Sequence, residues 1–227
     1  MYKGFIFDMD GTMVDNMMVH HRAWQRQLAT LGLDLTIDEV KEQIHGINEE
    51  ILERIFGDRF TPAQRRQIAW EKEAAYREIF LPELRLISGL PAFLEKAKDA
   101  GIPMAIGTAA PTENVDFVLE NLNLRPYFMG IFDAKSVKKG KPDPEIFEKA
   151  AASMGLAAAD CLIFEDSVTG AEAAKRAGAS AVIVTTTHKR EEFAQFNHIV
   201  RFIENFEGIT VEAGGTFFKV GERYTSR

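Results

Sequence analysis

Residues 4–7 form a short apolar run that ends on Asp8. This is the pattern of a buried strand with a polar tip. From 17 to 31 the spacing becomes helical, with Met17, His21, Trp24, Leu28 and Leu31 near one face and Gly32 as a stop signal. Further helices are expected over about 36–43, 48–56 and 62–80, the last with Thr61 ahead of Pro62 as its cap. No strand pattern interrupts this stretch, so residues 16–82 read as an all-helical insert.

Beyond Gly89-Leu90-Pro91 the pattern alternates. Helices are expected over 91–100, 112–122, 144–154 and 168–177, separated by strands at 102–107, 131–132, 161–164 and 179–184. Short apolar strands divided by helices imply an α/β fold, a parallel sheet of Rossmann-like kind with helices on both faces. Residues 1–15 and 83–227 would build that core around the insert. The tail carries weak strand signals at 209–211 and 217–220, enough for a hairpin or a mobile end.

Composition narrows the class. The chain has 227 residues with 46% hydrophobic and 27% charged, ordinary for a globular protein of one large domain or a core with a smaller insert. A net charge of −7 argues against a nucleic-acid partner. No stretch approaches the ~20 apolar residues of a membrane span, and the start has no signal-peptide pattern. Cys161 is the only cysteine, so no intrachain disulfide forms and a reducing, cytoplasmic setting is expected.

The candidate chemistry is positional. Asp8 with Asp10, Thr108, Lys141, and Glu165 with Asp166 each follow a predicted strand or lie in the loop beyond it. In a parallel sheet those tips share one edge, where ligands of open α/β folds bind. Carboxylates with one lysine and one hydroxyl suit a hard cation and a phosphoryl group. Singly, each signal has a plain structural alternative. Asp-x-Asp-Gly is also a turn with a capping aspartate, and Thr108 or Ser167 is also a helix cap. Thr108 with the amides of Ala109 and Ala110 could donate to phosphate oxygens at a helix start. Lys138 and Lys139 fit a solvated basic loop, whereas Lys141, beside Pro142, is held in one direction. A cap needs only one of Asp166 and Ser167, so the second acid of Glu165-Asp166 suits a metal.

Together these residues resemble the haloacid dehalogenase superfamily, and within it the beta-phosphoglucomutase-like phosphatases and mutases. The resemblance rests on Phe7-Asp8-Met9-Asp10-Gly11-Thr12, Thr108, Gly140-Lys141-Pro142-Asp143-Pro144, and Phe164-Glu165-Asp166-Ser167-Val168-Thr169-Gly170, in the family's order. It places the helical insert as a cap domain. It implies Asp8 as nucleophile, Asp10 as general acid and base, and Lys141 and Thr108 stabilising the transferring group, with Lys141 keeping Asp8 ionised. It also implies Mg2+ held by Asp8, the Asp10 main-chain carbonyl and Asp166, with Glu165 contributing directly or through water. Dehalogenases of the superfamily lack the second aspartate, so Asp10 argues against halide displacement. Receiver domains share an acid, hydroxyl and lysine set, but they are shorter and place the lysine last; here Glu165 and Asp166 follow Lys141.

The insert separates phosphatase from mutase. Thr12 follows Asp10-Gly11 as in many phosphatases of the superfamily, where the mutases usually have valine. His20 and Lys72 match cap positions that the mutases use. In the segment His45-Gly46-Ile47-Asn48-Glu49, Glu49 stands where the mutase has an arginine for its second phosphate, and an acid would repel that group. The resemblance thus implies a magnesium-dependent phosphatase of a small phosphorylated metabolite, a sugar phosphate or similar, with a hexose-phosphate mutase as the alternative. His20, Asn48, Glu49 and Lys72 are the candidate substrate-selecting residues. Neither nucleic acid nor membrane is an expected partner, and a monomer or weak homodimer is expected.

Overall fold

The computed structural model describes residues 2–44, 47–209 and 211. The chain divides into two compact units, Met1–Asp15 with Arg85–Arg227, and Asn16–Leu84. In the first unit, strands β1 (Gly4–Phe7), β2 (Met104–Gly107), β3 (Gly130–Phe132), β4 (Cys161–Glu165), β5 (Ser180–Val184) and β6 (Ile199–Ile203) form one sheet. Their order is β3-β2-β1-β4-β5-β6, and every pairing is parallel. The expected α/β sheet is therefore present, and its strand order reverses between β1 and β4. At such a switch point the connections on either side lead away from each other, which opens a crevice at the carboxyl ends of the two strands.

Alternation along β1 and β4 sends side chains to two cores. Phe5, Phe7 and Phe164 meet Phe93 and Phe206 on one face, and Phe7 stacks on Phe164 with centroids 4.7 Å apart and planes 7° apart. On the other, Ile6 and Ile163 join Ala105, Ala181, Ile183, Phe147 and Ala174. The helices of this unit are α5 (Leu90–Asp99), α6 (Thr112–Asn121), α7 (Glu145–Ser153) and α8 (Val168–Arg176).

The differences from expectation have local causes. Strand β2 starts at Met104 rather than 102, because the Ile102 amide donates back to Ala97 O at 2.9 Å, closing off α5. Strand β6 had no alternation to reveal it: only Ile203 is buried, and Arg201 sits in its middle at the sheet's edge. Of the tail's strand signals, Ile209 and Val211 lie in no strand, and 217–220 fall outside the described residues.

The second unit holds helices α1 (Met17–Thr30), α2 (Ile37–Gln43), α3 (Asn48–Phe56) and α4 (Pro62–Phe80). Thr61 caps α4 as expected, accepting from the Gln64 amide while the Gln64 side chain returns to the Thr61 amide; Thr36 and Glu39 do the same for α2. Each such box satisfies two otherwise orphaned donors. The apolar core is Trp24, Leu28, Val40, Ile51, Leu52 and Ile68. On α1 the buried face runs through Val19, Ala23, Trp24, Gln27 and Leu28, so Met17 and Leu31 are only half-buried. Among the described residues no helix is long and apolar enough to cross a membrane.

Candidate active site

Strand register builds the site. Phe7 pairs with Phe164, so Asp8 and Glu165, each one residue further, emerge side by side at the reversal of strand order. Both share the sheet face of Ile6 and Ile163, over which Phe147 of α7 packs. The Lys141 ammonium lies 4.7 Å from the centre of that ring and donates to Asp8 Oδ1 and Glu165 Oε1, each at 2.6 Å. Lys141 is 6% exposed, Asp8 8% and Glu165 1%, so both ion pairs are desolvated. Lys138 and Lys139 are exposed, and their amides donate to Glu145 Oε2, which ties the loop to the start of α7. Sequence reasoning gave Glu145 no part; an acid in a helix's first turn is too common to single out.

Glu165 is fully engaged. Besides Lys141, its Oε2 accepts from the Asp166 amide at 2.8 Å, the Ser167 amide at 2.7 Å and the Ser167 hydroxyl at 2.9 Å. Ser167 is the N-cap of α8, accepting from the Gly170 amide at 3.0 Å. Asp166 is therefore not needed as a cap, and it turns toward Asp8. Ligand-capable oxygens of Asp8, Glu165 and Asp166 lie within 4.8 Å of one another. The Asp10 carboxylate is not in that group; Asp10 is half-buried in the turn that Gly11 completes.

Two glycines make room for the acids. At Gly11, with φ +74°, a Cβ would lie 2.1 Å from Asp166 Oδ2; at Gly170 it would lie 1.8 Å from Glu165 Oε1. Neither contact is sterically possible without displacing a carboxylate. Thr12 is wholly buried beside Asp166.

Electrostatics set the chemistry. Burial pushes the Asp8 carboxyl up to about 7, outweighing the pull of Lys141, while the Glu165 charge adds to the rise. Lys141, expected to keep Asp8 ionised by its attraction, does pull the carboxyl down, but by less than burial raises it. Burial, then the Glu165 and Asp8 charges, raise Asp166 as well. For Lys141 burial acts downward, yet Asp8 and Glu165 hold its ammonium above the usual range. With their protons displaced by a bound cation, the three carboxylates and one ammonium would carry a charge of −2. An all-oxygen, doubly negative donor set fits a hard divalent cation.

Thr108 follows β2, with its amide bonded to Phe132 O at 2.9 Å. Its hydroxyl accepts from the Ala110 amide at 3.2 Å, which directs the hydroxyl proton elsewhere. Ala109 is exposed, and its amide donates to none of the described residues.

The substrate-selecting candidates lie in the second unit. His20 Nδ1 stands 2.9 Å from the Lys72 ammonium, which also meets Glu73 Oε1 at 2.9 Å. Asn48 donates to the same Glu73 oxygen at 2.8 Å. The His20 ring lies flat on Tyr76, with centroids 4.1 Å apart. Three of the four candidates are thus joined through Glu73, while Glu49 is half-buried in the first turn of α3. The sequence gave no signal for Glu73, one of several acids on an amphipathic helix. His45 and Gly46 lie outside the described residues.

Comparison with known proteins agrees with this architecture. Residues 2–178 match the haloacid dehalogenase-like hydrolases. The chain is 33% identical over 184 residues to fructose-1-phosphate phosphatase YqaB of Escherichia coli (strain K12), covering 81% of this chain and 96% of that one. It is 34% identical over 188 residues to beta-phosphoglucomutase of Bacillus subtilis (strain 168), covering 79% and 82%. A solved family IA variant 3 hydrolase from Entamoeba histolytica superposes with a TM-score of 0.84 at 27% identity, covering 92% of this chain and 96% of that one. The chain belongs to the haloacid dehalogenase-like hydrolase family.

Proposed function

We propose that the protein is a magnesium-dependent phosphatase of a small phosphorylated metabolite, a sugar phosphate or similar, working through an aspartyl-phosphate. The observation that carries this reading is the buried cluster in which Lys141 bridges Asp8 and Glu165 beside Asp166. Asp8 and Asp166, with the Asp10 main-chain carbonyl, would hold the metal, and Glu165 would act chiefly by fixing Lys141. When bound, Mg2+ balances the cluster's charge and draws electron density from the phosphoryl oxygens.

An Asp8 oxygen attacks phosphorus, and the bond from phosphorus to the leaving oxygen breaks. Asp10 gives that oxygen its proton. Water then attacks the aspartyl-phosphate, Asp10 takes the water's proton, and phosphate leaves with Asp8 restored. Lys141, Thr108 and the Ala109 amide stabilise charge on the transferring group.

Relatives of nearly equal identity include a phosphatase and a mutase, so identity does not separate the outcomes. Water as acceptor is favoured by Glu49, which puts a negative charge where a second phosphate would need a cation. A reducing, cytoplasmic setting suits Cys161, buried and with its thiol pushed up by burial to about 11, so that it stays protonated.

The test is a panel of phosphorylated metabolites with Mg2+, measuring free phosphate. In parallel, beta-glucose 1-phosphate with a trace of glucose 1,6-bisphosphate is assayed for glucose 6-phosphate. Phosphate release from a sugar or polyol phosphate is expected. Efficient isomerisation without release would overturn the choice of hydrolysis.

A further inference from the structure

The turn beyond β5 brings to the acidic cluster a buried hydroxyl for which the proposed chemistry has no task. Strand β5 ends at Val184, and Glu165 pairs with Ile183, so the chain beyond Val184 leaves the sheet beside Asp166. Thr185 and Thr186 turn there instead of continuing the strand, which frees neighbouring side chains from pointing to opposite faces. The Thr186 hydroxyl donates to the Gly11 carbonyl oxygen. Thr187 Oγ1 faces the same glycine: a Cβ on Gly11 would lie 2.8 Å from it and closer still to Asp166 Oδ2. The Thr187 hydroxyl and the Asp166 carboxylate thus share the space that Gly11 leaves open.

Asp166 needs an orienting partner more than Glu165 does. Glu165 Oε2 is fixed by three donors, whereas Asp166 Oδ1 is met by the Thr12 hydroxyl only at 3.5 Å, the outer limit of a hydrogen bond. Burial raises the Asp166 carboxyl and the Glu165 and Asp8 charges add to the rise; the Thr187 hydroxyl draws it back, so this hydroxyl acts on that acid. Yet Thr187 Oγ1 is itself buried and closes no hydrogen bond of ordinary geometry among the described residues. A hydroxyl buried in that way does not support the metal-free fold. Carboxylates that ligate a metal are, in turn, held by hydrogen-bonding partners behind them.

We infer that Thr187 is a positioning residue for the metal: its buried hydroxyl, opposite that of Thr12, aims the Asp166 carboxylate at a cation shared with Asp8, while Thr186 holds the Gly11 turn in place beneath it. The inference rests on the reading of the cluster as a magnesium site and adds the turn after β5 to it.

The test titrates Mg2+ alone into chelator-treated protein, followed by heat of binding and by thermal midpoint. Thr187→Val removes the hydroxyl and keeps the shape. It should weaken Mg2+ affinity by about 10–100-fold, the usual effect of losing a partner behind a metal ligand, while the metal-free midpoint holds or rises. Thr187→Ser keeps the hydroxyl and should bind Mg2+ as the wild type does. A merely structural hydroxyl would give the reverse, a lower metal-free midpoint with affinity unchanged. Wild-type affinity in Thr187→Val overturns the inference, and so does an equal loss in Thr187→Ser. If the valine variant does not fold, Thr187→Ala is judged by the same two measurements. No substrate is present, so the two readings fail separately. Absence of phosphate release from every metabolite would end the phosphatase assignment and leave the affinity difference standing. Equal affinities with phosphate release intact would end the role of Thr187 alone.

Discussion

The Lys141 ammonium stands 2.6 Å from the Asp8 carboxylate across 133 positions of sequence, with Glu165 at the same distance on its other side. Removing Lys141 leaves two buried acids facing each other without a counter-charge. Lys141→Ala should lower kcat by about 10²–10³, the usual effect of losing one preorganised donor to developing charge. Lys141→Arg should not restore it, because a planar fork cannot replace a point charge held between two oxygens. Steady-state kinetics on both variants check this.

The nucleophile assignment makes a sharper demand. Asp8→Asn should abolish turnover while the protein stays folded, since it removes the attacking oxygen but keeps the side chain's shape. Retained activity in that variant would sink the assignment.

Metal binding should appear as stability. A cation that binds only the folded state raises its stability, by about 2.7 kcal/mol at a hundred times the dissociation constant. Saturating Mg2+ should therefore raise the thermal midpoint, a chelator should reverse the rise, and Asp166→Ala should remove it.

Gly170→Ala should reverse an ordinary sign. Within a helix this change usually gains up to about 1 kcal/mol. At Gly170 the new methyl would lie 1.8 Å from the Glu165 carboxylate. A cost of about 1–3 kcal/mol is expected, with loss of activity as Glu165 releases Lys141. Urea unfolding and a rate measurement on one preparation decide it.

The Glu73 carboxyl gives a pH signature. Its folded value of about 2 lies below its ordinary 4.5, so its contribution is complete above about 4.5 and is lost as pH falls toward 2. The stability difference between wild type and Glu73→Gln should be widest above pH 5 and close steadily below it. Thermal midpoints of the two proteins across that range measure the gap.

Much of this was readable along the chain because it is local. The apolar run before Asp8, the spacing that marks α1 and α4, and the Thr61 cap depend on side-chain period and on donors within one turn. Strand β6 escaped because an edge strand buries one residue and needs no alternation. Glu73 escaped because nothing near it in sequence marks an acid that will be buried against Lys72 and Asn48. The candidates Asp8, Thr108, Lys141, Glu165 and Asp166 could be gathered from strand tips, but not ordered among themselves.

The sequence by itself determined the class of fold, the position of the helical insert and the residue types available for phosphoryl chemistry, since periodicity, turn residues and composition are properties of neighbours. Only the tertiary structure decided which oxygens face one another. Register between β1 and β4 sets Asp8 beside Glu165, Ser167 frees Asp166 by capping α8, and burial rather than Lys141 governs the Asp8 proton. Those outcomes depend on distance and desolvation between groups far apart in the chain, and no pattern of neighbours encodes them.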